Sequence, residues 1–282
     1  MKYKLVVLDM DGTLLDDHHQ VSEKNKRIIQ HFSKEGIQFI LASGRPYASL
    51  YPYVKDLGLQ LPVIAANGAV VKCPLTNKTH YASVVPLELA QEILNYGKAY
   101  GYSISCYFED EVITFDEEMV KVHWELEKLK AKMMDKFSVE KAPNKIIYSA
   151  APRRIEEAFK FLANEYAERL YITCSADIYL DVMNLGTSKG KALSYIMHQM
   201  NISSSEVMVI GNNFNDLAMF EVAGLAVAMD NSPEEVKHQS GFVTKSNTED
   251  GVAYALEKLI TSDSPPFIVP GLSLDKSGIL FL

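Results

Sequence analysis

The stretch KLVVLDMDGTLL, residues 4–15, decides the fold of this chain. It begins with a continuous apolar run of strand length, which Asp9 and Asp11 follow directly. Such a run indicates a strand that is buried on both faces, as in a parallel sheet covered by helices. In these folds ligands bind at the carboxyl ends of the strands, where the two aspartates would lie. Because neighbouring carboxylates repel each other, the pair also indicates a cation at this edge.

Outward from this stretch, strand-length and helical patterns alternate. Apolar runs at residues 37–42 and 62–66 predict two further strands, and residues 22–34 and 47–56 have the periodicity of the helices before them. Apolar strands separated by amphipathic helices indicate a parallel sheet with helices on both faces. The alternation returns near the C-terminus as helix, strand, helix, strand and two helices. In that order these are residues 188–200, 207–210, 216–222, 225–228, 233–239 and 250–260.

Residues 82–186 have a different pattern. Their paired short strands, bounded by acidic turns, predict an antiparallel sheet with helices on one side. We therefore predict a Rossmann-like, doubly wound α/β core formed by residues 1–81 and 187–261, with an α+β domain inserted at residues 82–186. The proline-containing tail, residues 262–282, is interpreted as a frayed end rather than a functional segment.

The composition excludes several classes of protein. A net charge of −8 and a pI of about 5.4 argue against nucleic acid and anionic membranes as partners. The three cysteines, Cys73, Cys106 and Cys174, form no CxxC pair, which favours reduced thiols over disulfides or a zinc site. The apolar run at residues 5–8 is too short for a signal peptide, and no stretch approaches the roughly 20 apolar residues of a membrane helix. We expect a cytoplasmic protein.

Three further segments carry polar groups at the same edge of the predicted sheet. Ser43-Gly44-Arg45 follows the second strand and offers a hydroxyl and backbone N–H groups to a phosphate. Ser188-Lys189-Gly190 begins a helix, which places an ammonium group beside the positive end of the helix dipole. Residues 211–216, GNNFND, follow another strand and supply oxygen ligands. Each segment alone is common, but their joint position at strand ends of one sheet indicates a phosphate and metal site.

The first segment has two other interpretations. An acidic turn with Gly12 as its turn residue would need no ligand. A calcium loop also contains Asp-x-Asp-Gly, but it requires further ligands and a glutamate at its twelfth position, where this chain has Gln20. The sequence also has no GxxxxGK[ST] motif that would indicate a nucleotide-binding P-loop.

Together these motifs resemble the haloacid dehalogenase superfamily of phosphotransferases. Within it they resemble the Cof-type phosphatases, which carry the larger α/β cap, the C2 type, inserted after the third core strand. The resemblance extends to Asn67-Gly68-Ala69 and to residues 224–229, and it covers roughly residues 1–260. It identifies residues 82–186 as the cap.

The resemblance implies a Mg²⁺-dependent phosphatase that works through an aspartyl-phosphate. Asp9 would be the nucleophile, and Asp11 would be the general acid and base and bind the metal through its backbone carbonyl. The residues expected to hold the phosphate are Met10, Ser43, Gly44, Lys189 and Asn215. The expected metal ligands are Asp9, Asp11, Asn212 and Asp216, and the residues that could contact the substrate are Arg45 and Asn67.

The metal ligands depart from the family at one position. Asn212 stands where the family has an aspartate that binds Mg²⁺ directly. A carboxamide still offers an oxygen, but it is neutral, and Mg²⁺ prefers charged, hard ligands. Because loss of even an outer supporting group commonly costs about 10–100-fold in metal affinity or activity, we expect a weaker metal site.

The cap is expected to close over the core and to contact the leaving group. Its hinges are predicted at residues 81–86 and 184–187. The helix predicted at residues 117–134 is interpreted as a solvated outer face rather than a site. Most of the cap's aromatic residues are expected to pack within the cap, although each could stack on a ligand ring. These residues are Tyr102, Tyr107, Phe108, Tyr148 and Tyr179.

The expected substrate is a small phosphorylated metabolite, with sugar phosphates, nucleotides, flavin mononucleotide and pyridoxal phosphate all open. We expect a monomer or a weak homodimer. One alternative is a sugar phosphomutase, because an aspartyl-phosphate can pass to a sugar hydroxyl instead of water. Another is a weakly active or inactive phosphometabolite-binding protein, which Asn212 would favour. Asp9, Asp11 and Lys189 argue against a binder, which needs no nucleophile.

Overall fold

The computed structural model describes residues 2–260. Its N-terminal part contains the elements that the apolar runs predict and, in addition, a hairpin that the pattern does not predict. The elements are β1 Leu5–Asp9, α1 Glu23–Lys34, β2 Gln38–Ala42, α2 Tyr47–Leu57, β3 Val63–Ala65, β4 Val70–Lys72 and β5 Thr79–Ala82. The hairpin, β4 and β5, pairs antiparallel with β3 and so extends one edge of the sheet.

The inserted segment alternates strands and helices in a different arrangement. Its elements are α3 Leu87–Ala99, β6 Ser103–Phe108, β7 Glu111–Thr114, α4 Glu117–Glu127, β8 Lys132–Met133, β9 Lys145–Ser149, α5 Pro152–Tyr166, β10 Leu170–Ala176 and β11 Tyr179–Asn184.

The C-terminal part returns to the α/β alternation. Its elements are α6 Lys189–Met200, β12 Val207–Gly211, α7 Leu217–Val222, β13 Leu225–Ala228, α8 Glu234–His238, β14 Phe242–Val243 and α9 Gly251–Ile260. The tail, residues 262–282, lies outside the described residues.

Within residues 2–260 the strands form two sheets. The first has the order β14-β13-β12-β1-β2-β3-β4-β5, and its strands from β14 to β3 are parallel. The second has the order β10-β11-β9-β6-β7-β8 and is antiparallel except where β7 meets β8. The predicted fold class, a doubly wound α/β core with an inserted α+β domain, is therefore confirmed.

β1 lies inside the first sheet, between β12 and β2, and all five of its residues are buried. Val6 and Leu8 pack in an apolar cluster with α1, α2 and α9, whereas Leu5 and Val7 pack on the opposite face with α6 and α7. Burial on both faces explains the continuous apolar run. The carboxyl ends of β1, β2 and β12 consequently lie side by side.

The second sheet has one apolar face and one face that carries both polar and apolar residues. The two faces differ because alternate residues of a strand point to opposite sides. Ile104, Tyr148 and Leu180 belong to the apolar cluster that α3 and α5 cover. The residues between them in the strands, among them Tyr107 and Lys145, point the other way, toward the first sheet.

The prediction for residues 117–134 is wrong in two respects. α4 ends at Glu127, since Lys128 adopts a left-handed backbone conformation with φ of 53°, and residues 132–133 form β8. The helix is also not simply an outer face, because Met119 and His123 are buried. Trp124, by contrast, is 59% exposed.

The chain leaves the first sheet after β5 and returns to it at α6, close to the predicted domain boundaries. Those boundaries and the two hinges stay predictions. Of the helices within residues 2–260, none has the length and apolar character needed to cross a membrane.

Candidate active site

A buried lysine joins two aspartates at the carboxyl edge of the first sheet. Ser188 caps α6 by accepting the N–H of Lys191, and Lys189 is the first residue of the helix. The ammonium of Lys189 donates to Oδ1 of Asp9 and to Oδ1 of Asp216, at 2.7 Å each. Its side chain is 0% exposed, so its charge is stable only because both partners are present.

The second oxygen of Asp216 is also occupied by protein donors. Oδ2 accepts the backbone N–H of Asn212 at 2.9 Å and that of Asn213 at 3.1 Å. Asp216 is fully buried. These contacts favour a role for Asp216 in holding Lys189 and the loop after β12.

The charge of Asp9 depends on this network. Burial raises the pKa of Asp9 and the Asp216 carboxylate raises it further, whereas the Lys189 ammonium lowers it. Although burial lowers the pKa of Lys189, Asp216 and Asp9 outweigh that effect and raise it. Lys189 is therefore a permanent cation beside Asp9.

Asp11 lies at the surface of the same edge and is clamped by a guanidinium. Arg45 donates through Nε to Oδ2 at 2.7 Å and through Nη2 to Oδ1 at 2.5 Å. His19 Nδ1 lies 3.5 Å from Oδ1. Although burial raises the pKa of Asp11, hydrogen bonds from Arg45 and His19 outweigh it and lower this pKa below its usual range. Asp11 is an anion in this conformation.

The loop after Asp11 packs against Asn212. Gly12 has φ of +74°, and a Cβ at this position would lie 2.3 Å from Nδ2 of Asn212, so both the conformation and the space require glycine. The terminal amide of Asn212 lies 3.1 Å from Oδ2 of Asp9 and 3.1 Å from the carbonyl oxygen of Asp11. With its nitrogen turned inward, the amide donates to both oxygens and to Oγ1 of Thr13 at 3.3 Å.

The same groups fit a divalent cation when the amide is turned the other way. The amide oxygen of Asn212 then converges with Oδ2 of Asp9 and the carbonyl of Asp11, and oxygen is the ligand that hard cations such as Mg²⁺ take. Across residues 2–260, no group of three or more His, Cys, Asp and Glu side chains is arranged for a metal. Besides the carboxylate of Asp9, a cation at this position would therefore rely on a backbone carbonyl and a neutral amide.

The remaining residues predicted to hold phosphate lie around Asp9. Ser43 follows β2, and its Oγ accepts the N–H of Arg45 at 3.1 Å. Nδ2 of Asn215 donates to Oδ1 of Asn67 at 3.0 Å. The carbonyl of Met10 accepts the backbone N–H groups of Thr13 and Leu15, and the side chain of Met10 is buried.

Hydrogen bonds join the inserted domain to this edge. Nζ of Lys145 donates to the carbonyl of Gly44 at 2.8 Å, and Nη1 of Arg45 donates to the carbonyl of Leu126 at 2.9 Å. Nδ2 of Asn67 donates to Oδ2 of Asp181 at 2.7 Å. The insert is thus seated over the carboxyl edge of the core.

A cavity of about 350 Å³ lies between the sheet edge and the insert, within the 300–1,000 Å³ typical of ligand sites. The core lines it with nine residues: Asp9, Asp11, His19, Ser43, Gly44, Arg45, Asn212, Asn213 and Asn215. The insert lines it with eleven: Tyr107, Met119, Val122, His123, Leu126, Glu127, Lys145, Ile147, Ser175, Ala176 and Tyr179.

The structure brings seven of the eleven predicted site residues to the cavity wall: Asp9, Asp11, Ser43, Gly44, Arg45, Asn212 and Asn215. The other four lie behind it: Met10, Asn67, Lys189 and Asp216. Of the cap aromatics, Tyr102, Phe108 and Tyr148 pack within the cap as expected, whereas Tyr107 and Tyr179 line the cavity.

Sequence reasoning missed the residues that the insert contributes, chiefly Lys145, Asp181, His123 and Glu127. A signal existed for two of them. Lys145 and Asp181 are charged residues within strands, and they share the face of the second sheet that is not covered by α3 and α5. A charged residue at an alternating strand position indicates a face turned toward a polar partner.

Comparisons with known proteins cover nearly the whole chain. The sequence model of the family described as haloacid dehalogenase-like hydrolase matches residues 6–256. The protein YxeH of Bacillus subtilis is 30% identical, over 92% of this chain and 98% of that protein. The 5-amino-6-(5-phospho-D-ribitylamino)uracil phosphatase YwtE of the same organism is 29% identical, over 92% and 98%. The crystal structure of a haloacid dehalogenase-like hydrolase from Bacteroides thetaiotaomicron superposes with a TM-score of 0.83 at 27% identity, over 91% of this chain and 99% of that one.

Proposed function

Because the chain belongs to the haloacid dehalogenase-like hydrolases of the Cof type and is a phosphoric monoester hydrolase, we propose that it releases phosphate from small metabolites through an aspartyl-phosphate on Asp9. The observation that carries this proposal is the position of Asp9. Its carboxylate lies at the floor of the cavity, with Lys189 behind it and polar groups of two neighbouring loops around it.

In the first step, a carboxylate oxygen of Asp9 attacks phosphorus and forms a P–O bond. The ester P–O bond breaks, its electron pair stays on the alcohol oxygen, and protonated Asp11 supplies the proton that completes the alcohol. In the second step, water attacks the same phosphorus while Asp11 takes its proton. The bond between phosphorus and the Asp9 oxygen breaks, its electron pair returns to the carboxylate, and inorganic phosphate leaves.

Asp11 needs a change of partner before it can act as an acid, because Arg45 and His19 stabilise its anion. A phosphate group in the cavity competes for the same guanidinium, which forms bidentate pairs with phosphate as well as with carboxylate. Substrate that draws Arg45 away from Asp11 frees the carboxyl to take up a proton. Arg45 thus has two partners, and substrate selects between them.

The phosphoryl oxygens are held by groups that already point into the cavity. Ser43 and the backbone around Gly44 supply donors, and Asn215 supplies an amide held in place by Asn67. Lys189 stabilises the charge that develops next to Asp9. Phosphatases of this family generally use a divalent metal. We assign Mg²⁺ to the oxygens of Asp9, Asp11 and Asn212, where it would offset the charge of phosphate and carboxylates.

The test is phosphate release from a panel of phosphomonoesters with Mg²⁺ and with EDTA. We expect turnover that needs Mg²⁺ and that the Asp9→Asn variant lacks. Mass spectrometry of acid-quenched enzyme should show one added phosphoryl group on the peptide that contains Asp9. Phosphate release that survives in Asp9→Asn would contradict the proposal.

The two alternative functions give different results in the same assay. A phosphomutase would convert a sugar phosphate to its isomer without stoichiometric phosphate release. A phosphometabolite-binding protein would bind members of the panel, as measured by calorimetry, yet release no phosphate even at high Mg²⁺. The hydrogen bonds that the Asn212 amide can make without a cation are the observation that favours the binding protein as the second candidate.

A further inference from the structure

The cavity beneath the insert has two chemically different halves. Every residue that lines it from the core is polar or a glycine. Seven of the eleven that line it from the insert are apolar or aromatic. The polar half surrounds Asp9 and so accounts for the phosphate. The apolar half lies opposite it, where the alcohol portion of a phosphomonoester would be placed.

α4 builds much of the apolar half. Met119, Val122 and Leu126 are spaced so that they share one face of the helix, and all three line the cavity. Ile147 of β9 adds to the same wall. Val120 lies on another face of α4 and is not part of the cavity lining.

The charged groups of the insert that line the cavity each have protein partners. Glu127 accepts the hydroxyl of Tyr107 at Oε1, at 2.8 Å, and its Oε2 is paired with Nδ1 of His123 at 2.7 Å. Lys145 donates to the carbonyl of Gly44 at 2.8 Å and lies 3.4 Å from Asp181. Its ammonium also lies 4.6 Å from the centre of the Tyr107 ring.

Besides these paired groups, the insert offers few polar side chains to a ligand. Ser175 and Tyr179 line the cavity, and their hydroxyls make no hydrogen bond with any residue of the described part of the chain, 2–260. A polyol placed against this wall would bury most of its hydroxyls without partners, and an unpaired buried hydroxyl is unfavourable. A hydrocarbon surface in the same place would displace water at no such cost.

We propose that the alcohol released by this enzyme is compact and mainly apolar: a single ring or branched hydrocarbon with at most one or two polar substituents. The inference rests on the proposed phosphatase function and narrows its substrate class. The phosphate would occupy the core half of the cavity. The ring would lie against Val122 and Leu126 of α4, which makes this helix face the element that determines specificity.

A matched pair of esters tests the inference: cyclohexyl phosphate and myo-inositol 1-phosphate. Both carry a six-membered carbon ring, but in the second each of the remaining ring carbons has a hydroxyl. These hydroxyls withdraw electrons and make inositol the better leaving group, so a preference for cyclohexyl phosphate must come from binding. We expect its kcat/KM to be at least tenfold higher.

A matched pair of variants locates the effect. Val122→Thr places a hydroxyl on the cavity wall at nearly constant shape, and we expect it to lower the preference for cyclohexyl phosphate several-fold. Val120→Thr makes the same change on another face of α4 and should leave the preference as it is. The comparison of the two esters on the wild-type protein does not depend on either variant. Circular dichroism checks that both variants fold.

The outcomes separate this inference from the proposed function. Equal or faster hydrolysis of myo-inositol 1-phosphate would overturn the apolar substrate class. Acetyl phosphate serves as a third substrate because its small leaving group does not require the apolar wall. If acetyl phosphate or any member of the phosphomonoester panel is hydrolysed and neither ring ester is, the substrate class is wrong while the phosphatase function stands. If none of these compounds releases phosphate, the phosphatase function has failed and the inference fails with it.

Discussion

The terminal amide of Asn212 lies 3.1 Å from Oδ2 of Asp9, the carboxylate oxygen that Lys189 does not contact. It lies equally close, 3.1 Å, to the carbonyl oxygen of Asp11. With the nitrogen inward, the amide bonds to both oxygens by itself. With the oxygen inward, three oxygens face one another and need a cation between them. Metal binding here therefore competes with two hydrogen bonds that the protein can make alone.

Replacing the amide with a carboxylate removes this competition. We expect Asn212→Asp to bind Mg²⁺ about tenfold more tightly or better, because the ligand becomes charged and can no longer donate to Asp9. Without metal the variant should be less stable than the wild type, since a new carboxylate then faces Asp9 unpaired. Isothermal calorimetry gives the affinity, and thermal unfolding with Mg²⁺ or EDTA gives the stability.

Asn213→Asp is the control for the Asn212→Asp experiment. It adds the same charge one residue further along, where the side chain contacts the N–H of Phe214 and the carbonyl of Ser175 instead of Asp9. Its Mg²⁺ affinity should stay at the wild-type value. Equal affinity of the wild type and Asn212→Asp would show that the amide does not weaken the metal site.

Asp9→Asn should abolish turnover and, in the absence of metal, remove a pH-dependent part of the protein's stability. Burial raises the pKa of Asp9 to about 7, whereas an unfolded aspartate has a pKa of about 3.9. Between these values the folded state holds a proton that the unfolded state lacks, so the free energy of unfolding falls as pH rises. The asparagine variant escapes this loss but also gives up the ion pair with Lys189. We therefore expect the stability of Asp9→Asn relative to the wild type to be higher at pH 8 than at pH 5.

Urea unfolding in EDTA at pH 5 and pH 8 measures that difference. Asp17→Asn is a suitable control because Asp17 is exposed and its carboxylate bonds to Asn247 instead of Lys189. A stability of Asp9→Asn relative to the wild type that rises from pH 8 to pH 5 would contradict this prediction.

The core half of the site could be predicted because its residues stand at fixed points of a regular pattern. Asp9 ends one buried strand, Ser43 follows another, and Lys189 opens a helix, so parallel topology alone brings them to one edge. Which side chains of that half bond to one another could not be predicted. That Asp216 bonds to Lys189 and not to solvent depends on the turn of the loop after β12.

The insert half was largely inaccessible from the sequence because its contacts cross between domains. Lys145 meets Gly44 over a separation of 101 residues, and no local pattern records that distance. α4 has polar and apolar residues on several faces, so its composition does not reveal which face will be covered. The interpretation of this helix as an outer surface was wrong because the cavity, and not solvent, lies against Val122 and Leu126.

Arg45→Gln should lower the free energy of unfolding at neutral pH. This destabilisation should disappear in acid. Hydrogen bonds from Arg45 and His19 hold the pKa of Asp11 below its usual range against the effect of burial. A carboxylate with a lowered pKa stabilises the fold above its unfolded pKa of about 3.9, and this contribution is lost as pH falls further. The stability gap between wild type and Arg45→Gln should therefore be full near pH 6 and narrow below pH 4.

Chemical denaturation across that pH range gives the result for Arg45→Gln. Because Asp11 is 45% exposed, solvent screening keeps the effect small, on the order of 1 kcal/mol. Arg153→Gln breaks a fully surface-exposed pair with Glu157 and should change stability far less. A gap that widens in acid would show that Asp11 is not held as an anion.

Lys189→Met should destabilise the fold more than any other single change in the site. The substitution leaves Asp9 and Asp216 facing each other across a buried space that held an ammonium, and loss of one partner from a buried ion pair costs about 3–5 kcal/mol. Lys191→Met, two residues along the same helix at an exposed position, should have little effect.

Neutralising a carboxylate as well, in Asp9→Asn with Lys189→Met, should recover part of the loss. Urea unfolding of the two single variants and the double variant forms a double-mutant cycle. Additive effects of the two substitutions in that cycle would mean that the 2.7 Å contact between Lys189 and Asp9 contributes nothing to the buried network.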